Sequence, residues 1–270
     1  MRVLQLNIWG RRDPYEERAA MLRGEIGTLA PDVIALQEVD GTDDERNQAA
    51  ELFGPLGYGV RFDPRPGRKD FEWGMAIAAR HDLGRLEVKE LPHGGVAIAS
   101  RISVEDRSLW FCSACPLGWW QTQEGQREDE CVALDEWLTN LAAGDDLPPV
   151  IGGDFDATPD AASIRFLTGL QSLHGRSTHW IDAFASAGDG SPGYTWSSDN
   201  PFMAPHARST FAQPEHHRRI DYVFVGSPFK WPSGIIVRSA AVVLKERGEI
   251  APSDHYGVLA DLDLDSARHV

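Results

Sequence analysis

Five short blocks set acidic or hydrogen-bonding side chains directly against apolar runs: Leu6-Asn7, Leu36-Gln37-Glu38, Gly152-Gly153-Asp154-Phe155-Asp156, Arg219-Ile220-Asp221-Tyr222 and Ser253-Asp254-His255. A carboxylate beside an apolar run has no packing role, because burying its charge without a partner is expensive. Taken singly, each block also reads as the polar end of a strand or as a turn. Five of them in one chain ask for a further explanation. Carboxylates with an imidazole are groups that can orient water and move protons.

The elements that would carry these groups are legible from periodicity. Val3 to Ile8 and Val33 to Leu36 read as short buried strands, and Tyr15 to Leu29 between them has apolar residues at helical spacing until Pro31 stops it. Met75 to Ala79, Gly95 to Ile102 and Leu109 to Cys115 read as strands, the last two joined by the polar turn at Glu105-Asp106-Arg107. Glu128 to Leu141 is the clearest amphipathic helix, with Cys131, Leu134, Leu138 and Leu141 on one face. Strands are expected again at Val150-Ile151, Ile220 to Val225, Ile235 to Leu244 and Val258 to Leu262. Ser186 to Arg219 shows no periodicity and reads as a functional loop or a flexible insert. Strands with interspersed helices predict one layered domain over residues 1–270, with the helices outside.

Composition narrows the partners. Hydrophobic residues make up 42% and charged residues 25% of the 270 residues, so a sizeable core is expected. A net charge of −15 disfavours long nucleic acid, which is normally met by a basic face, although bound divalent cations can invert the local field. Three cysteines suggest no disulfide framework and point to a reducing compartment; with no leader-like start and no apolar run of membrane-spanning length, a cytoplasmic location is expected.

Other signals have two readings each. Cys112 and Cys115 have C-x-x-C spacing, but residues three apart on a strand face opposite sides and no second pair exists, so a structural role is the better reading. His206, His216 and His217 with Arg208, Arg218 and Arg219 form either a phosphate- or carboxylate-recognising cluster or a solvated loop. Trp196 could stack on a substrate or sit in the core, and burial of at least one of Trp119 and Trp120 is expected. Glu72 is read as a surface acid.

The five blocks follow the order and rough spacing of the endonuclease/exonuclease/phosphatase superfamily, and the chain resembles that family from Asn7 to His255. DVIALQEV, IGGDFDATPD, RRIDYVFV and SDHYGVLADL carry the resemblance, and WGMAIAAR is similar to one of its core strands. The family includes secreted deoxyribonucleases, abasic-site endonucleases, sphingomyelinases and inositol polyphosphate phosphatases. The resemblance implies an α/β (α+β) four-layer αββα sandwich of two mixed sheets, with the site at one end of the strands. It implies Glu38 as principal metal ligand with Asn7 and Asp254 joining it, Asp154 as the residue that orients or deprotonates water, His255 as an imidazolium at the phosphoryl group and Asp221 as its partner. Trp196 and Asn200 would be substrate contacts, with Arg219 and His217 from the basic cluster beside them.

Two departures from the family pattern bear on chemistry. The family usually has Asn where this chain has Asp156; a carboxylate there would repel phosphate unless a second cation or a proton compensates, so Asp156 is counted among the catalytic candidates. Many relatives have a histidine in a Thr-His-Leu segment, where this chain places Cys115. The function implied is Mg²⁺- or Mn²⁺-dependent hydrolysis of a small or head-group phosphate mono- or diester. The alternatives are a nuclease acting on DNA or RNA and a non-catalytic phosphate-binding module.

Overall fold

The computed structural model describes residues 1–64, 73–104, 107–117, 121–145, 147–213, 215–231 and 234–264. Glu72, Trp119, Trp120 and the turn at Glu105-Asp106 lie outside them. The strands in chain order are β1 (Arg2–Asn7), β2 (Val33–Val39), β3 (Gly59–Asp63), β4 (Gly74–Ala79), β5 (Leu83–Glu90), β6 (Val96–Val104), β7 (Arg107–Cys115), β8 (Val150–Asp154), β9 (Trp180–Asp182), β10 (Trp196–Ser197), β11 (His217–Arg218), β12 (Asp221–Gly226), β13 (Ile236–Val243) and β14 (Gly257–Asp263). The helices are α1 (Tyr15–Leu29), α2 (Gln48–Phe53), α3 (Glu124–Leu141), α4 (Ala162–Leu167), α5 (Ala183–Ala187) and α6 (Ala204–Thr210).

Two six-stranded sheets, in the orders β13-β14-β1-β2-β4-β3 and β5-β6-β7-β8-β12-β9, form the two inner layers. Both are mixed: β1 pairs parallel with β2 and antiparallel with β14, and β8 pairs parallel with β7 and antiparallel with β12. Val3, Val33 and Ile77 of the first sheet meet Ile98, Phe111 and Val223 of the second in the seam between them. Alternation along β1 turns Leu4 and Leu6 to the opposite face, where they meet Leu22 and Ile26 of α1 and Phe53 of α2. Ile151, Tyr222 and Phe224 do the same on the second sheet, beneath Cys131, Leu134 and Leu138 of α3 and Phe166 of α4. The expected αββα sandwich is the observed one.

The expected strands of the core are present, and α1 spans the expected residues; α3 begins at Glu124, one turn before the expected start. β3 and β5 escaped the periodicity reading because each is a sheet edge. Edge strands carry charge to resist pairing with other chains, and β5, with Arg85, Glu87, Lys89 and Glu90, has no apolar run to read. The supposed loop at 186–219 contains the β10-β11 ribbon and α6. Cys112 is fully buried under α3, while Cys115 packs against the seam, and no disulfide joins any of the three cysteines.

One layer of the seam is polar. The side-chain amides of Gln5 and Gln37 bond reciprocally, Gln37 Nε2 also donates to Ser113 Oγ at 2.9 Å, and Gln5 Nε2 reaches Asp221 Oδ1 at 3.2 Å. Gly152 makes room for this layer, since a Cβ there would lie 2.5 Å from Ala35 Cβ and 3.1 Å from Gln5 Oε1. The layer sits directly beneath the strand ends that carry the acidic blocks.

Candidate active site

At that end of the sandwich, a cavity of about 480 Å³ is lined by Glu38, Asp154, Asp156, Asp254 and His255 from three of the five blocks. Asp221, from a fourth, and Asn7, from the remaining one, are buried beside it. Residues 38, 154, 221 and 255, far apart in sequence, converge because β14, β1 and β2 are neighbours in one sheet and β8 and β12 are neighbours in the other.

Local backbone geometry aims Glu38. Alternation would send it to the α1 side with Ile34 and Leu36, but β2 gains one residue against β4 between Leu36 and Val39, and Glu38 adopts φ +53°. Val39 then takes the α1-facing position, and the carboxylate turns to the cavity. Trp9 (φ +58°) and Asp156 (φ +44°) also line the cavity in left-handed conformations. Such conformations cost of order 1 kcal/mol or more for a non-glycine residue and concentrate at functional sites.

Glu38 Oε1 accepts from Asn7 Nδ2 at 3.1 Å, whereas Oε2 is buried with no hydrogen-bond partner. Burial, with the charge of Asp254, pushes the Glu38 carboxyl up to about 7. Burial raises Asp154 to about 7 as well, against the pull of His255, and raises Asp254. An orphaned carboxylate oxygen among neighbouring acids is the arrangement a divalent cation relieves, and the oxygen donors of Glu38 and Asp254 fit Mg²⁺ or Mn²⁺.

Asp154, Asp221 and His255 offer ligand atoms within 4.8 Å of one another, but their bonding describes an ion-paired histidine. Asp221 Oδ2 lies 3.0 Å from His255 Nδ1 and Oδ1 accepts from Gln5, so both Asp221 oxygens are engaged. His255 Nε2 lies 3.9 Å from Asp154 Oδ2. Burial alone would lower the His255 pKa, but Asp221, Asp154 and Asp254 outweigh it and hold the ring as imidazolium well above the usual histidine range. Asp221 fixes which nitrogen points outward: Nδ1 faces the carboxylate, leaving Nε2 toward Asp154.

The loops beneath are stapled by Arg18 of α1, which is 2% exposed. It donates to Ile8 O (2.7 Å), Arg12 O (2.5 Å) and Pro252 O (3.1 Å), tying the segment after Asn7 to the one before Asp254. Buried Glu130 of α3 accepts the backbone N–H groups of His93, Gly95 and Leu117 and so fixes the rim opposite.

Several expected contacts are placed elsewhere. Asn7 turns its amide nitrogen toward the acids, donating to Glu38 and Asp154, while its oxygen accepts Trp9 N–H at 3.0 Å. Asn200 is fully buried and bonds to Ser253 O and Phe202 N, so it braces the Asp254-His255 loop and does not line the cavity. Arg219 is spent on a buried ion pair with Asp182 at 2.7 Å, over the Tyr222 ring. His217 stacks on Tyr194 and bonds Ser197, outside the cavity lining. Trp196 does line it, 6.3 Å from the His255 ring.

The cavity wall also holds residues that sequence reasoning missed or placed only within a cluster: Arg218, Arg12, Trp9, Trp73, Phe202, Phe211 and His206. Arg12 lies over Trp73 at 4.7 Å, and Trp9 packs against Phe202 at 5.0 Å. Arg218 was adjacent to the residue chosen; the aromatics come from loops where no periodicity marks them. The compensation sought for Asp156 is also here: Arg218 Nη1 donates to Asp156 Oδ1 at 2.5 Å, and Arg127 lies 3.8 Å from Oδ2. Two guanidinium groups thus face the Asp156 carboxylate.

A four-layer sandwich with buried acids and an ion-paired histidine at its open end defines a class, and comparison with known proteins agrees. Residues 4–255 match the profile of the Endonuclease/Exonuclease/phosphatase family, and the chain belongs to that family. Nocturnin from Rattus norvegicus, Mus musculus and Homo sapiens is 28% identical over 171 residues, an alignment covering 54% of this chain and only 37% of those proteins. The human Nocturnin catalytic domain with bound sulfate anion superposes with TM-score 0.71 at 22% identity, covering 97% of this chain and 94% of that one. The D. rerio TDP2 complex with single strand DNA product gives 0.71 at 17% identity, over 97% and 98% of the two chains. A family protein from Bacteroides vulgatus gives 0.72 at 16% identity and 98% of each chain. These superpositions establish a shared fold.

Proposed function

We propose that this protein is a divalent-metal-dependent phosphoesterase that cleaves a compact phosphate ester, a small-molecule or head-group mono- or diester, by in-line attack of water. The buried, unpartnered Oε2 of Glu38, facing a cavity shared with Asp154, Asp254 and His255, carries this reading. Glu38 and Asp254 would hold Mg²⁺ or Mn²⁺, which when bound neutralises phosphoryl charge and polarises the ester. Asp154 orients the attacking water and takes up its proton, helped by an environment that favours the protonated carboxyl. Asn7 keeps Asp154 and Glu38 apart by donating to both. His255, charged and aimed by Asp221, donates from Nε2 to the phosphoryl oxygens as negative charge builds there.

A net charge of −15 supports the compact substrate, because a polyanion is normally met by a basic face. The second reading is a single-stranded nucleic acid, supported by the wall of Trp9, Trp73, Phe202 and Phe211, on which bases could stack, and by the related TDP2 solved with single strand DNA product. One experiment separates them: a panel of phosphate mono- and diesters and short oligonucleotides, each with Mg²⁺ or Mn²⁺, assayed across a salt series. A compact ester gives turnover that salt barely changes, whereas a polymer substrate gives a steep loss. Turnover of none of these above an Asp154→Asn control would leave a phosphate-binding module and end the enzymatic reading.

A further inference from the structure

The Asp156-Arg218 pair does more than neutralise an acid. Arg218, at the end of β11 opposite Trp196, is 8% exposed and lines the cavity. Its Nη1 donates to Asp156 Oδ1 at 2.5 Å and its Nη2 to Asp156 O at 2.7 Å, so one residue occupies the terminal edge of the guanidinium. Among the described residues, Arg218 Nε has no acceptor, and Nη2, which gives one hydrogen to Asp156 O, keeps a second hydrogen beside it. That lateral edge is a two-donor fork whose spacing matches two oxygens of a phosphate. Asp156 is itself held in place, by φ +44°, by Arg127 at 3.8 Å and by its N–H donating to Asp154 Oδ1 at 3.2 Å.

We infer that Arg218, positioned by Asp156, is an oxyanion-recognition site that grips the non-bridging oxygens of the substrate phosphate; this deepens the phosphoesterase reading and rests on it. The charge balance calls for such a site. Glu38, Asp154, Asp156 and Asp254 all line the cavity, and an anionic ester must enter it. His255 brings one charge, whose Nδ1 side is held by Asp221, and Arg12 is exposed and stacked on Trp73. Arg218 is the buried, bidentately locked cation on the wall, so it binds an anion with little further loss of side-chain freedom.

The test uses the full chain with inorganic phosphate as probe, followed by titration calorimetry in Mg²⁺ and by competitive inhibition of ester hydrolysis. Arg218→Met should weaken phosphate and raise KM on the order of 10- to 100-fold, the loss expected for charge-assisted hydrogen bonds, with a smaller change in kcat. Arg218→Lys keeps the charge without the fork and should recover only part of that loss. Asp156→Asn should raise KM several-fold in the wild-type background and change nothing further in Arg218→Met, which a purely structural role would not produce.

The double variant Arg218→Met/Asp156→Asn is decisive, because it removes the orphaned carboxylate along with the cation and is the version expected to fold if Arg218→Met does not. Weak phosphate binding in the double variant supports the site. Wild-type affinity in the double variant overturns it, since Arg218 would then serve only to neutralise Asp156. If no ester is turned over yet phosphate binding depends on Arg218, the enzymatic reading fails and the anion site stands. If esters are hydrolysed with KM indifferent to Arg218, the anion site alone fails.

Discussion

Replacing Glu38 by glutamine is expected to stabilise the metal-free protein above neutral pH while abolishing its response to Mg²⁺. The folded-state pKa of Glu38 is raised from 4.5 to about 7, by burial first and by the Asp254 charge second. Below the unfolded value the residue is neutral in both states and costs nothing. As pH rises through about 7 the folded chain must ionise a buried carboxyl, and the stability present at low pH is lost. Raising a carboxyl that far corresponds to roughly 3 kcal/mol, on the order of 6 °C in Tm for a chain of this size. Glutamine preserves the acceptor for Asn7 Nδ2 and has no charge to bury. Thermal melts near pH 5 and near pH 8, each with chelator and with excess Mg²⁺, read the effect directly. Wild type should lose stability toward the higher pH in chelator and regain it with Mg²⁺, because a ligand that binds only the folded state adds stability. Glu38→Gln should melt higher than wild type near pH 8 in chelator and show little gain from Mg²⁺. If the variant melts no higher there, or if Mg²⁺ raises both proteins equally, Glu38 is not the carboxylate that holds the cation.

Three further outcomes follow from the geometry. His255→Ala should lower kcat by about two to four orders of magnitude with the fold intact, and Asp221→Asn, which removes the anion that outweighs burial at His255, should shift the high-pH limb of kcat/KM to lower pH. Arg219→Met breaks the buried pair with Asp182 and should cost about 3 kcal/mol or more in denaturant unfolding while leaving KM near wild type; a selective KM effect would restore Arg219 as a substrate contact. Gly152→Ala forces a methyl group against Ala35 Cβ and the Gln5 amide and should cost about 1–3 kcal/mol in denaturant unfolding, with near-neutral stability arguing that the polar seam can shift.

The sequence by itself determined the sheet core and the acids. Val33 to Leu36, Val150-Ile151 and the face of α3 are legible because burial repeats at the period of each element, and that information is local. Glu38, Asp154, Asp221, Asp254 and His255 stood out because charged groups against apolar runs are costly without a purpose. Tertiary structure decided what such local signals do not contain. The extra residue in β2 that turns Glu38 into the cavity shows only in its register with β4. The neighbours Arg218 and Arg219 are alike in sequence, yet one reaches Asp156 on the cavity wall and the other Asp182 beneath Tyr222. Asn200 reads as a substrate contact until Ser253, 53 positions away, is found to occupy its amide. Residue type sets what a side chain can do, but its partner is fixed by which strands meet and in what register, and partners tens of residues apart leave no periodic trace in the chain.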